Sequence, residues 1–109
     1  MLKGAWREHP PPPAAPSGPP QNIFVTNITN TSAILKWEEP VTPNGVVTMY
    51  FVTIDPSNGS RTAVPALETQ LVVVGLPPHT QVTVSVAAAN SVGEGPAGVT
   101  TFHTLEGGW

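Results

Sequence analysis

Acids, histidines and glycine-rich loops are the parts from which a catalytic or ligand site is built, and this sequence has few of them. Its 109 residues contain seven Asp and Glu, three His and no Cys. The single aspartate, Asp55, opens "DPSNGS", where Asp-Pro starts a bend and Asn-Gly accepts positive φ, so turn formation accounts for it. His9 lies in a proline-rich stretch, His79 in "PPHT" and His103 near the last apolar segment; no i, i+4 or comparable spacing gathers them round a metal. Glu38 and Glu39 are neighbours on an extended segment and point apart, which is wrong for paired-carboxylate catalysis. "SVGEGPAG" has the glycines of a phosphate loop, but no lysine follows and no helix opens there. Without cysteine there is neither a disulfide nor a thiolate zinc site. The chemistry therefore points away from an enzyme and away from any cofactor or metal.

Charge narrows the partners further. The net charge is −3, with Lys3, Arg7, Lys36 and Arg61 as the only cations, so no basic stripe exists to neutralise a run of phosphates and nucleic acid is not expected to bind. No apolar run approaches the roughly 18 to 20 residues of a membrane span, and "MLKGAWREHP" lacks the apolar centre of a signal peptide. The expectation is a fragment of a longer chain, or one not exported by itself, that does not insert into membranes.

The elements that would position any site follow from punctuation and alternation. "PPPPAAPSGPP", Pro10 to Pro20, fixes φ repeatedly and removes backbone donors, which predicts extended polyproline II with a flexible Ser17-Gly18 joint. Residues 1–18 read as an extended or disordered linker, 19–105 as one domain and 106–109 as a tail. Within the domain, β-branched residues alternate with polar ones between turn formers. "NIFVTNI" places Ile23 and Val25 on one face, and "SAILKWEEP" places Ala33, Leu35 and Trp37 together, opposite Ile34 and Lys36. "VVTMYFVTI" sets Tyr50, Val52 and Ile54 against Met49, Phe51 and Thr53. A hairpin leads into "RTAV", "TQLVVVGL" turns Leu71 and Val73 inward, and "QVTVSVAAAN" aligns Val82, Val84, Val86 and Ala88. "GVTTFHT" supplies a last strand around Phe102. No window carries a helical repeat with caps. Seven short strands, each with one apolar face, predict an all-β fold: a seven-stranded antiparallel immunoglobulin-like β-sandwich.

"PSGPPQNIFV", "TSAILKWEEP", "NGVVTMYFVTI" and "GLPPHTQVTVSVAAANSVGEGP" together resemble a fibronectin type III domain over about Pro19 to Thr104. Trp37, Tyr50, Leu76 before the "PPHT" corner, and "AAANSVGEGP" carry the likeness by their order. One position departs from it: family members usually have a tyrosine where this chain has Val82, and that tyrosine's hydroxyl bonds back to the chain a few residues upstream. Loss of such a bond implies a domain weaker by about 0.5 to 1.5 kcal/mol, with Val82→Tyr expected to stabilise. The resemblance implies a non-catalytic spacer and protein-binding module, similar to those of adhesion and guidance receptors and receptor-type tyrosine phosphatases. It implies an extracellular place in a larger protein, neighbouring domains as contacts, and a monomeric isolated domain. A module of an intracellular, cytoplasmic filament-associated protein is the rival.

Surface features give the remaining candidates. N-x-[ST] sequons stand at Asn27, Asn30 and Asn58, all in turns or at a strand end. Met49, Phe51 and Ala87 share an outer face beside the "NSVGEGP" loop that holds Glu94, a candidate partner contact with Phe51 as its aromatic anchor. Ile34, Val72 and Val74 form a second outer stripe. Arg7, Pro10 and Pro13 fit the R-x-x-P-x-x-P pattern of SH3 ligands. In relatives the loop that corresponds to "NSVGEGP" sometimes carries Arg-Gly-Asp, and here that tripeptide is absent, as is the paired-tryptophan Ser box of cytokine receptors. Gly93 and Gly95 are expected to supply turn geometry.

Overall fold

The computed structural model describes residues 13–57, 59 and 61–106. Seven strands follow in order: β1 Gln21–Thr26, β2 Ala33–Glu38, β3 Met49–Pro56, β4 Thr62–Ala66, β5 Gln70–Val73, β6 Gln81–Ala89 and β7 Glu94–His103. They form two antiparallel sheets, one ordered β1-β2-β5 and the other β4-β3-β6-β7. The seven strands and two sheets agree with the sandwich expected from alternation.

Period-two alternation decides which side chains lie between the sheets. On β2, Ala33, Leu35 and Trp37 are buried and Ile34 and Lys36 are not. On β3 the buried residues are Tyr50, Val52, Ile54 and Pro56. β6 pairs with β3 on one side and β7 on the other, so its inner face has no route to solvent, and Val82, Val84, Val86 and Ala88 are all 0% exposed. Facing them from the smaller sheet are Leu35 and Val73, with Leu71 partly buried at the edge. Trp37 and Tyr50 meet edge to face, with centroids 5.3 Å apart and planes at 68°, a geometry that sets the positive edge of one ring on the negative face of the other.

Two irregularities interrupt the ladders. Gln21 pairs with Glu38 while Phe24 pairs with Lys36, so Asn22 and Ile23 together face Trp37. Asn22 takes φ 50°, which asparagine tolerates, and its Nδ2 donates to Glu38 Oε1 at 2.9 Å. On β7, Ala97 pairs with Ala87 and Glu94 with Ala89, leaving Gly95 and Pro96 opposite Ala88. Each is one extra residue, a β-bulge, at the strand end nearest the β2–β3 loop.

The proline-rich stretch does not stay clear of the body until Gly18. Pro16 and Pro20 are buried, and the Ser17 N–H donates to Thr42 O at 3.1 Å. The expected joint at Ser17-Gly18 is thus tied down by the β2–β3 loop. Removing volume from the centre tests the packing: Leu35→Ala should cost about 2 to 5 kcal/mol by chemical denaturation, whereas Val41→Ala, at a residue 78% exposed, should stay within about 0.5 kcal/mol.

Candidate functional site

Once the strands are placed, the chemistry-bearing residues stay apart. Asp55, Glu38, Glu39, His79, His103 and Glu94 are all exposed, and the described residues contain no group of three acids or histidines close enough to hold a metal. A groove of about 530 Å³ opens between β4 and β5, over Ile54, Val64, Leu71, Val73 and Leu76, and no charged residue lines it. Such a lining offers no acid or base, and its one side-chain hydroxyl is that of Thr62.

The outer face of the larger sheet is organised in cross-strand rows. Pro65, Phe51, Ala87 and Ala97 form one row across β4, β3, β6 and β7, and Met49, Ala89 and Glu94 form the next. Phe51 is 38% exposed and Met49 half-buried, with Glu94 exposed at the end of its row. Ala87 is a correction to the candidate contact set, because it is only 2% exposed. Its single methyl sits on a central strand directly between Phe51 and Ala97, and it is far shorter than the Phe51 ring beside it. Of the candidate contact residues, Phe51, Met49 and Glu94 keep accessible surface. On the smaller sheet Val72 and Val74 are exposed and Ile34 is half-buried.

The sequons divide as well. Asn27 is exposed and Asn30 half-buried, while Asn58 lies outside the described residues. The Thr29 and Ser32 hydroxyls, which complete the first two sequons, are 2.7 Å apart, and Thr29 Oγ1 also accepts from the Thr31 and Ser32 N–H groups at 3.2 and 2.9 Å. In the folded turn both hydroxyls are engaged. Of the SH3-type pattern, Arg7 and Pro10 lie outside the described residues, and Pro13 is exposed.

The corner before β6 is held by a residue that reading along the sequence did not single out. Thr104 is 3% exposed; its Oγ1 donates to Pro77 O at 2.7 Å and accepts from the Thr80 N–H at 2.9 Å. The Thr104 N–H in turn donates to Thr80 O at 3.0 Å. A hydroxyl from beyond β7 therefore ties back the corner that a tyrosine on β6 would otherwise secure. Val82 is fully enclosed against Pro56 and Phe102 in the ladders. A tyrosine there meets a fully enclosed site, so in place of the gain implied by the resemblance Val82→Tyr is expected to carry an overpacking cost of about 1 to 3 kcal/mol.

At the opposite end Asn90 plays the larger part. It is 8% exposed; its Nδ2 donates to the carbonyls of Ala14, Pro43 and Asn44, and its Oδ1 accepts from the Val92 and Gly93 N–H groups. The signal in the sequence was a polar residue continuing the buried run Ala87–Ala89, since such a group must find partners.

Comparison with known proteins now adds what geometry cannot. A model of the fibronectin type III domain matches residues 18–104. The chain belongs to the fibronectin type III family. It is 33% identical over 95 residues to the rat phosphatidylinositol phosphatase PTPRQ, covering 85% of this chain and 4% of that one. To rat receptor-type tyrosine-protein phosphatase F it is 36% identical over 88 residues, covering 78% and 5%. To the chicken neuronal cell adhesion molecule it is 34% identical over 91 residues, covering 77% and 7%. The chain thus spans less than a tenth of these curated relatives. Among solved structures, a computer-based redesign of a β-sandwich protein aligns with a TM-score of 0.71 at 33% identity, covering 82% of this chain and 96% of that one. Domains A168–A170 of titin align with a TM-score of 0.74 at 27% identity, covering 84% and 33%. As an isolated fibronectin type III domain the chain is a non-catalytic module, although several relatives are phosphatases by name.

Two outcomes follow from the fibronectin type III core and corner. Thr104→Val should destabilise by about 1 to 3 kcal/mol, because it leaves the Pro77 carbonyl and Thr80 N–H without their partner; a denaturation midpoint equal to wild type contradicts this. Burial, aided by the nearby Glu39 charge, raises the Tyr50 phenol above its ordinary value of 10. The unfolded chain then loses this proton first, so stability should fall as pH rises past about 10 and stop falling above the folded value. Tyrosinate absorbance against pH, with Tyr50 the only tyrosine, reads that midpoint directly.

Proposed function

We propose that this domain is a protein-interaction and spacer module in the extracellular part of a larger adhesion or receptor protein. The observation that carries the reading is the set of relatives: receptor-type phosphatases and a cell adhesion molecule match over three quarters or more of the chain. The uncharged groove and scattered acids and histidines support a role in contact rather than catalysis. Phe51, flanked by Met49 and Glu94, is the contact centre, because an aromatic ring on an open sheet face offers large area at little cost in ordering. Asn27, exposed at the end of β1, is the glycan acceptor this reading favours.

The titin likeness favours a second reading, a structural module of an intracellular filament-associated protein. The two differ in an accessible observable. Produced through the secretory pathway of cultured cells, the chain is expected to lose mass on glycosidase digestion, and Asn27→Gln to abolish most of that loss. An unchanged mass favours the intracellular reading. Against a panel of adhesion-receptor ectodomains, any binding found for the chain should weaken at least about tenfold in Phe51→Ser. Binding retained within error places the contact elsewhere.

A further inference from the structure

The residues just before the first strand sit in a trough whose walls are the β2–β3 loop and the β6–β7 turn. Asn90 Nδ2 reaches three carbonyls, Ala14 at 2.8 Å, Pro43 at 3.0 Å and Asn44 at 3.2 Å, so one of its two hydrogens is shared. Its Oδ1 accepts from Val92 N at 2.9 Å and Gly93 N at 3.2 Å, which uses the side chain completely. Asn44 Nδ2 donates to Ala15 O at 2.8 Å, and Ser17 N donates to Thr42 O at 3.1 Å. Pro16, between them, is buried and has no N–H to leave unsatisfied.

The floor of the trough explains one of the two glycines of "SVGEGP". Neither Gly93 nor Gly95 adopts the positive φ that would require glycine for its conformation; Gly93 lies in the β6–β7 turn closed on Asn90, whereas Gly95 lies inside β7 and not in the turn. A Cβ built on Gly95 would stand 2.5 Å from Pro16 O and 2.9 Å from Pro16 Cβ, too close for either atom to stay. At Gly93 the added atom would be 3.9 Å from Ala15 Cβ, an ordinary contact. Gly95 is therefore small because Pro16 lies on it.

We propose that this trough is a peptide-binding site built into the module and occupied by its own Ala14–Ser17 segment, with Asn90 as the anchor and Gly95 as the seat for Pro16. The site takes an extended segment with free carbonyls at two successive residues followed by proline, recognised by side-chain amides instead of a strand ladder. Its consequence is that the folded unit includes Ala14, four residues before the family match begins, and that the segment leading into β1 enters in one fixed direction.

Two substitutions in the full chain attack the site from different sides. Asn90→Asp keeps the acceptor for the turn N–H groups and loses every donor to Ala14, Pro43 and Asn44. Gly95→Ala leaves Asn90 untouched and displaces Pro16; since Gly95 has no positive φ, its effect is steric. Amide hydrogen exchange at Ser17 is the readout, with Val52 and Val84 in the two central strands reporting that the domain stays folded. Each variant is expected to speed Ser17 exchange at least tenfold, with the central amides protected as before. The double variant should be no faster than the faster single one. Unprotected Ser17 in the wild-type chain, or unchanged exchange in either variant, overturns the proposal. Should Asn90→Asp also expose the central amides, Gly95→Ala alone decides.

Discussion

Two sheets without a covalent tie stay together only if their inner faces fill the space between them, and every other feature of this domain rests on that condition. The filling is by volume matching along β6, where Val82, Val84, Val86 and Ala88 have no solvent contact, against Leu35, Trp37 and Val73 from the smaller sheet. Close packing of this kind gives dispersion contacts as well as desolvation, and it tolerates neither voids nor added atoms cheaply. The chain has no cysteine to supplement it. Valine suits the task because its branched Cβ fits a pleated surface and holds one rotamer. The Val82 position shows the same constraint at work, with the corner hydroxyl supplied from Thr104 instead of from β6.

A sandwich closed in this way has two open ends, and both are fastened by side-chain hydrogen bonds to backbone. At one end Thr104 joins the exit of β7 to the corner before β6, while Leu105 N donates to Thr29 O and His79 N to Leu105 O. At the other, Asn90 joins the incoming segment, the β2–β3 loop and the β6–β7 turn. Entry and exit of the chain are thus part of the packed unit. That arrangement suits a spacer, whose value to a larger protein is that it holds its neighbours in a defined relation. The outer faces remain for contact, with Phe51 and Met49 on one sheet and Val72 and Val74 on the other.

Strand order along the chain and the identity of the core were legible because both depend on local alternation. The buried sets on β2 and β3 are those that period two assigns, while β6 adds Ala87 and Ala89 to its alternating set. What the sequence hid was whatever depends on neighbours far along the chain. Ala87 lies on the outer face as expected, but it is buried there beside Phe51 and Ala97, 36 and 10 residues away in number and adjacent in the sheet. Asn90 carried a family likeness without a stated task, because its partners Ala14, Pro43 and Asn44 come from three places in the chain. Proline content alone marked residues 10 to 20 as linker; it describes local stiffness, and says nothing of the carbonyls those residues offer to a nearby amide.

Residue-by-residue hydrogen exchange of the unaltered chain bears most directly on the claim that one valine-filled core extends its order beyond the strands to Ser17 and Leu105. Protection should be greatest at the centres of β3 and β6 and should reach outward to Ser17 on one side and to Thr104 and Leu105 on the other, each of whose N–H groups is bonded to the body. Protection that begins only in β1 and ceases at His103 would contradict the account.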